Sequence, residues 1–395
     1  MTSVNTDRLL STFLELVCID SPSREEADVA AFCKQALEET GCAVHFDDTC
    51  DLTGSNTGNL FATLPAYSQD EAPAAFGSPL YFSAHMDTVD PCLGVKPQIK
   101  DGCIYSDGTT VLGSDDKAGI AAVIEMMRCM AEAEAVGEAH PEIRAVFSVQ
   151  EEKGLIGAKA MDRAEFADAQ GAYCYVLDAA GSPGIVVNAA PHQHSYTARF
   201  VGLAAHAGVN PKGGISAIRA AAKAIAALPQ GAIDAETTTN VGTVQGGRAN
   251  NIVANECLVT GEIRSHDLHK LLALKATIED VFKEAALSAD DGTGAGPAKV
   301  VIEWEVNYEG FLAPKDSPEV ALALAAAKRL GFEAQVETTN GGADTNVLVA
   351  YGLAAVSLGC GMTQIHSTDE YIAVRDLEDL ARLAVAIVRE SQRGK

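Results

Sequence analysis

The sequence predicts an α/β protein in two parts: a domain with a mostly parallel mixed sheet, and a smaller α+β domain inserted into it. Three observations carry this. The 395 residues are more than one compact core comfortably holds. Apolar runs of strand length alternate with helical stretches in residues 1–189, and the alternation resumes in 309–395. That alternation is the pattern of a mostly parallel sheet. Between them, residues 190–308 read strand, helix, strand, strand, helix, strand, the ferredoxin-like βαββαβ order.

Taken in order, Leu9, Leu10, Phe13, Leu14 and Val17 share one helical face over 6–18. Ser23 and Glu26 fit a capping box for a second helix, which Gly41 ends. Residues 43–46, 60–64 and 80–84 read as strands, and 67–79 as a loop of polar and small residues. Asp101-Gly102 joins 97–100 to 103–106 as a hairpin. A helix rich in Ala, Ile and Met follows at 119–135, then strands at 143–149 and 172–177. In the insertion, strands at 192–201, 238–244, 256–264 and 299–307 accompany helices at 215–228 and 268–287. Residues 290–297 (DDGTGAGP) have the composition of a flexible loop. A helix at 318–330, strands near 333–338 and 354–358, and a final helix at about 374–392 complete the chain.

Composition narrows the function. Hydrophobic residues are 47% and charged residues 21%, ordinary for a soluble globular protein. The formal net charge of −25 repels nucleic-acid phosphates and anionic lipid heads, so neither is expected as a partner. No basic segment followed by an apolar stretch opens the chain, and no run of about 18 apolar residues appears, so neither a signal peptide nor a membrane span is expected. The ten cysteines are scattered without CxxC pairs, as expected for reduced, buried thiols in the cytoplasm, and a cysteine-based zinc site is not expected.

The residues that carry chemistry cluster just past strands. His85 follows the strand 80–84 and Asp87 comes two residues later, so both side chains point the same way if the chain stays extended. His85 would then ligate a metal while Asp87 accepts the other imidazole N–H. Asp115, after Gly113-Ser114, is either a helix-terminal cap or a carboxylate bridging two metals. Glu151 and Glu152 close another strand, where one acid would ligate and the other act as general base. Asp178 ends a very hydrophobic strand and needs a partner. His366 lies in the loop GCGMTQIHSTDEY beyond strand 354–358. Each alone also reads as an ordinary polar loop residue. Together they occupy the carboxyl ends of strands, where open α/β sheets build their sites. Two histidines, one bridging and two terminal carboxylates suit a pair of zinc, cobalt or manganese ions roughly 3.5–4 Å apart.

The stretches SAHMDTVDP, GSDDKAGIAA, QEEKGLIGA, VLDAAG, LAAHAGVNPKGGISA, GEIRSHD, GGADTN and IHSTDEY run through nearly the whole chain. In that order they resemble the M20 metallopeptidases, and within them the peptidase T-like aminopeptidases. The resemblance implies a zinc-peptidase-like catalytic domain with two divalent metals, zinc being the expected one. Asp115 would bridge the ions, His85 and Asp178 would hold one, and Glu152 and His366 the other. Asp87 would orient His85, and Glu151 would move a proton from the attacking water to the leaving amine. A cis bond between Asp115 and Asp116 is also implied.

In the insertion, His206 alone reads as a loop histidine; the resemblance makes it an oxyanion stabiliser, reaching across from a second subunit. Arg264 otherwise reads as a surface cation, and by resemblance grips a substrate carboxylate. Asn250 would assist, and Gly342 would let backbone approach substrate, although Gly341-Gly342 also simply marks a turn. His192 and His194 share a strand face and are expected to be structural. The expected activity is removal of the first residue from short peptides, tripeptides being the type substrate, by a homodimer paired through the insertion. The alternatives are a deacylase, dipeptidase or carboxypeptidase of the same family, or a non-catalytic peptide-binding protein on the same fold.

Overall fold

The computed structural model describes residues 3–68, 77–289 and 297–392. The chain forms two compact units. The first comprises Met1–Ala189, Leu312–Thr338 and Ala343–Lys395; the second comprises Ala190–Phe311 and Thr339–Gly342. The short return at Thr339–Gly342 belongs to the second unit for a visible reason: Arg264 Nη1 donates to the Asn340 carbonyl at 3.0 Å.

The first unit is built on a mixed sheet. Its centre is four parallel strands in the order Ile143–Ser148, Leu80–His85, Tyr173–Ala179, Ala354–Gly359. Antiparallel strands Leu60–Leu64 and Ala43–Phe46 extend one side. Ile185–Ala190 runs antiparallel to Ala354–Gly359 on the other, with Gln335–Thr338 parallel to it. The strand Ile185–Ala190 is absent from the sequence reading; only Pro191 separates this run from the next strand, so its boundary is weakly marked.

The sheet is covered by helices that bury their apolar stripes. Helix Thr6–Val17 is capped by Asn5, whose side chain accepts from Arg8 N. It buries Leu9, Phe13, Leu16 and Val17 in the main core, each worth about 1.5–3 kcal/mol relative to exposure. Helix Ser114–Ala135 is buried along most of its length. At Gly119 it passes so close to the sheet that a Cβ would lie 2.5 Å from the Leu177 carbonyl. Helix Val374–Glu390 packs on it.

Three local expectations are corrected. Helix Ala27–Glu38 has no side-chain cap, and Ser23 and Glu26 are engaged elsewhere, as described below. The strand leading to Asp178 runs through Ala179, so Asp178 lies within it rather than past it. The hairpin forms as Gln98–Lys100 and Cys103–Tyr105, with Asp101 and Gly102 both at positive φ. Of the loops at 67–79 and 290–297, residues 69–76 and 290–296 lie outside the described residues. The cysteines are unpaired thiols; Cys18 is exposed, so not all are buried. Among the described residues no helix is long and apolar enough to cross a membrane.

The second unit is an antiparallel sheet in the order Gly231–Ala232, Thr237–Gly246, Glu256–Ser265, His192–Val201, Lys299–Tyr308. Its last four strands follow the ferredoxin-like order. Helices Ala217–Ala227 and Leu268–Leu287 pack on one face, burying Tyr196, Phe200, Ile263, Ile278 and Phe282. Ser216 caps the first helix through Arg219 N, and Asp267 caps the second through His269 N and Lys270 N.

Candidate metal centre

The four central parallel strands of the first unit end side by side, and the candidate donors sit at those ends. His85 is the last residue of its strand and is 2% exposed. Its Nε2 lies 3.0 Å from Asp115 Oδ1 and 3.8 Å from Asp178 Oδ1. His366 Nε2 lies 2.9 Å from Glu152 Oε1 and 3.3 Å from Asp115 Oδ2. Asp115 therefore turns one carboxylate oxygen toward each histidine. Donor atoms of His85, Glu151 and Glu152 also come within 4.8 Å of one another, as do those of Asp115, Glu152 and His366. A third group joins His85, Asp116 and Asp178.

Neighbouring segments hold these side chains. His85 Nδ1 meets the Asp87 carbonyl at 2.9 Å, nearer than the Asp87 carboxylate at 3.4 Å. The Asp87 carboxylate, fully buried, accepts from Glu151 N at 2.8 Å, Glu152 N at 3.3 Å and Ser23 Oγ at 2.6 Å. It thus links His85 to the turn bearing both glutamates. Glu26 accepts from Gln150 N at 3.1 Å and Ser55 Oγ at 2.6 Å. Gln150 at φ 50° and His366 at φ 62° occupy the left-handed region that few non-glycine residues enter. Such backbone persists where surrounding contacts over-determine it, often at working sites. Asp116 accepts from His85 N and Gly119 N, at 3.2 and 3.1 Å. The Asp115–Asp116 peptide bond is cis.

The electrostatics follow from crowding. Burial raises Asp178 well above the ordinary carboxylate range, and Asp115 adds to it. Burial likewise raises Glu151, with His85 opposing and Asp344 reinforcing the shift. Burial pushes Asp115 up too, but His366 and His85 outweigh it and hold Asp115 below the ordinary range. His85 is pulled down by burial, yet Asp115 and Asp87 raise it well above its usual value. Asp115 and Glu152 lift His366 to about 10. So many buried carboxyls facing two imidazoles fit a centre whose charge divalent cations would balance. The donors are nitrogen and oxygen only, a set that zinc, cobalt or manganese accepts.

Sequence reasoning missed Ser23, Glu26, Asp344 and Glu370. Asp344 is 2% exposed and accepts a hydrogen bond from Ser148 Oγ, two residues before Gln150. Burial raises its carboxyl to about 6. Its only sequence signal was the GGADTN stretch.

The remaining candidates lie in the second unit. His206 is exposed, and its Nδ1 accepts from Gly208 N at 3.2 Å and Val209 N at 3.1 Å, leaving the proton for Nε2. Asn250 is exposed close by, on the segment that pairs with His206 through Ile252. Arg264 is held by Glu262, through Nε at 3.0 Å and Nη2 at 3.1 Å. A Cβ on Gly342 would lie 2.2 Å from the Tyr308 ring, so this glycine is required by packing. His206 and Asn250 sit beyond the Glu256 end of strand Glu256–Ser265, and Arg264 at the other end. At about 3.3 Å per residue that strand keeps them far apart within the unit.

The sequence pattern of peptidase family M20/M25/M40 matches residues 81–390. The chain belongs to this family and is a hydrolase that acts on peptide bonds. Its likeness lies in the peptidase T branch. It is similar to aminopeptidase PepT from Bacillus cereus, at 40% identity and a TM-score of 0.87, covering 98% of this chain and 99% of that one. It is also similar to a tripeptidase from Staphylococcus aureus, at 37% identity and a TM-score of 0.89, covering 99% of each. A dinuclear metal binding peptidase of the M20 family from Bacillus subtilis shares the fold at 16% identity, with a TM-score of 0.70, covering 97% of this chain and 98% of that one.

Proposed function

We propose that the chain is a two-metal aminopeptidase that removes the first residue from short peptides, tripeptides above all. The observation that carries this is the Asp115 carboxylate, one oxygen toward His85 and the other toward His366. In this reading His85 and Asp178 would hold one ion, Glu152 and His366 the other, and Asp115 would serve both; the donor set suits zinc, cobalt or manganese. Ions bound there would supply Lewis acidity to the scissile carbonyl and the attacking water. Glu151 takes a proton from the attacking water and delivers it to the departing amine. Asp87 fixes the His85 ring and, through the Glu151 and Glu152 amides, the turn that carries the base. Arg264 receives the peptide carboxylate when substrate replaces Glu262, and Gly342 and Asn250 flank the peptide. His206 acts from a second copy of the chain, which the separation of His206 from Arg264 supports.

The names of the similar B. cereus and S. aureus proteins, an aminopeptidase and a tripeptidase, support the substrate class. A panel of free and N-acetylated tripeptides tests it. Turnover should require the free amine; equal turnover of acetylated substrates would instead make the chain a deacylase or carboxypeptidase. Chelation should abolish turnover, and sedimentation should give a dimer.

A further inference from the structure

Glu370 belongs to no role assigned so far, yet it is 1% exposed and tightly bound. Its Oε2 accepts from Gly113 N at 2.8 Å. Its Oε1 accepts from Ser114 Oγ at 2.6 Å and from Asp115 N at 3.1 Å. These donors lie on the segment that presents Asp115, whereas Glu370 itself ends the loop that presents His366. The backbone around Glu370 is firm: its N–H donates to the Ser367 carbonyl at 3.1 Å, and the next residue starts strand Tyr371–Ala373, paired with Cys103–Tyr105. His366, by contrast, is half exposed and left-handed. Nothing in its own burial sets its distance from Asp115.

We infer that Glu370 is a positioning residue: by gripping the backbone on both sides of Ser114, it sets the spacing between the Asp115 carboxylate and the His366 imidazole, and hence the affinity for the ion they share with Glu152. The inference rests on the two-metal reading above. A carboxylate that accepted these three hydrogen bonds merely to cap helix Ser114–Ala135 would support the fold without favouring either ion. Asp115 serves both ions, but the effect is asymmetric: His85 and Asp178 keep their places on strands that Glu370 does not touch, whereas His366 lies on the loop that Glu370 ties to the Asp115 segment.

The test is calorimetric titration of the metal-free full chain with Co²⁺, with visible absorption recorded at each equivalent. The unaltered chain should take two ions. His366→Ala supplies the spectrum of the ion that remains on His85 and Asp178. Glu370→Gln keeps the size of the side chain but turns an amide N–H₂ toward backbone donors. It should bind one ion normally, with the His366→Ala spectrum, and the other about 10–100-fold more weakly, the range for loss of a ligand's supporting partner. Ser114→Ala removes one of the three hydrogen bonds and should weaken the same ion roughly fivefold. Equal weakening of both ions, or none, overturns the inference. If Glu370→Gln does not fold, Ser114→Ala decides by the same criterion. Fewer than two Co²⁺ in the unaltered chain overturns the two-metal reading itself, and the inference with it.

Discussion

The strand-end rim of the first sheet and the core of the second hold their buried polar groups differently. At the rim of the first, Asp87, Asp116 and Glu370 are buried, and each accepts two or more hydrogen bonds, at least one of them from a segment distant in sequence. In the core of the second, His194 is 5% exposed with neither ring nitrogen hydrogen-bonded, and Tyr196 Oη and Trp304 Nε1 are equally unpaired. A buried carboxylate without donors costs too much to persist, so its partners reveal what the rim is organised to hold. An imidazole can stay neutral and be tolerated. The first rim pairs its buried carboxylates; the second core leaves these three groups unpaired, with His206 and Asn250 on exposed segments and Arg264 near a strand end.

The comparison breaks most decisively at Glu151. Glu151→Gln should lower kcat about 10²–10⁴-fold, the range for a lost general base, while metal content by elemental analysis stays unchanged. Unchanged turnover would deprive the rim of its catalytic reading. Next, Asp87→Asn puts an amide against the Glu151 N–H and should cost about 10–100-fold in metal affinity or activity, seen by Co²⁺ titration and steady-state rates. In the second unit the largest effect should be on stability. Gly342→Ala forces a methyl into the Tyr308 ring, and overpacking of this kind costs about 1–3 kcal/mol, measurable by thermal melting.

The smallest effect concerns His194. Burial lowers its pKa, Lys275 and His192 adding to this and Glu309 opposing it. The unfolded chain, titrating near 6.5, therefore takes up this proton first as pH falls. His194's contribution is complete above about pH 6.5 and is lost progressively below it. His194→Gln should make the melting temperature fall less between pH 7 and pH 5 than it does in the unaltered chain. Parallel curves would show that the imidazole finds a partner in solution.

What could be read in advance divides along the same line. The candidate donors at the rim, Asp115 apart, were legible because each follows an apolar run, and strand ends converge by topology. Their supports were not. Ser23 and Glu26 are spaced as a capping box, yet Ser23 reaches Asp87, and Glu26 reaches Gln150 and Ser55. Both uses need a short polar side chain followed by an acid, so spacing cannot separate them. Glu370 and Ser114 stand far apart in sequence, and no periodicity marks such a meeting. The βαββαβ order was legible from strand and helix runs alone. That Arg264 would be paired with Glu262, on the same strand face, and that Gly342 answers to Tyr308 depended on tertiary packing.

Spatial order and the order of synthesis disagree in the first unit. Strand Ala354–Gly359 lies between Tyr173–Ala179 and Ile185–Ala190, although the ribosome makes it long after both. A growing chain thus carries a gap beside Asp178 and lacks His366 until its last segments emerge. A chain laid out this way completes neither its central sheet nor its set of rim side chains before its last segments are made.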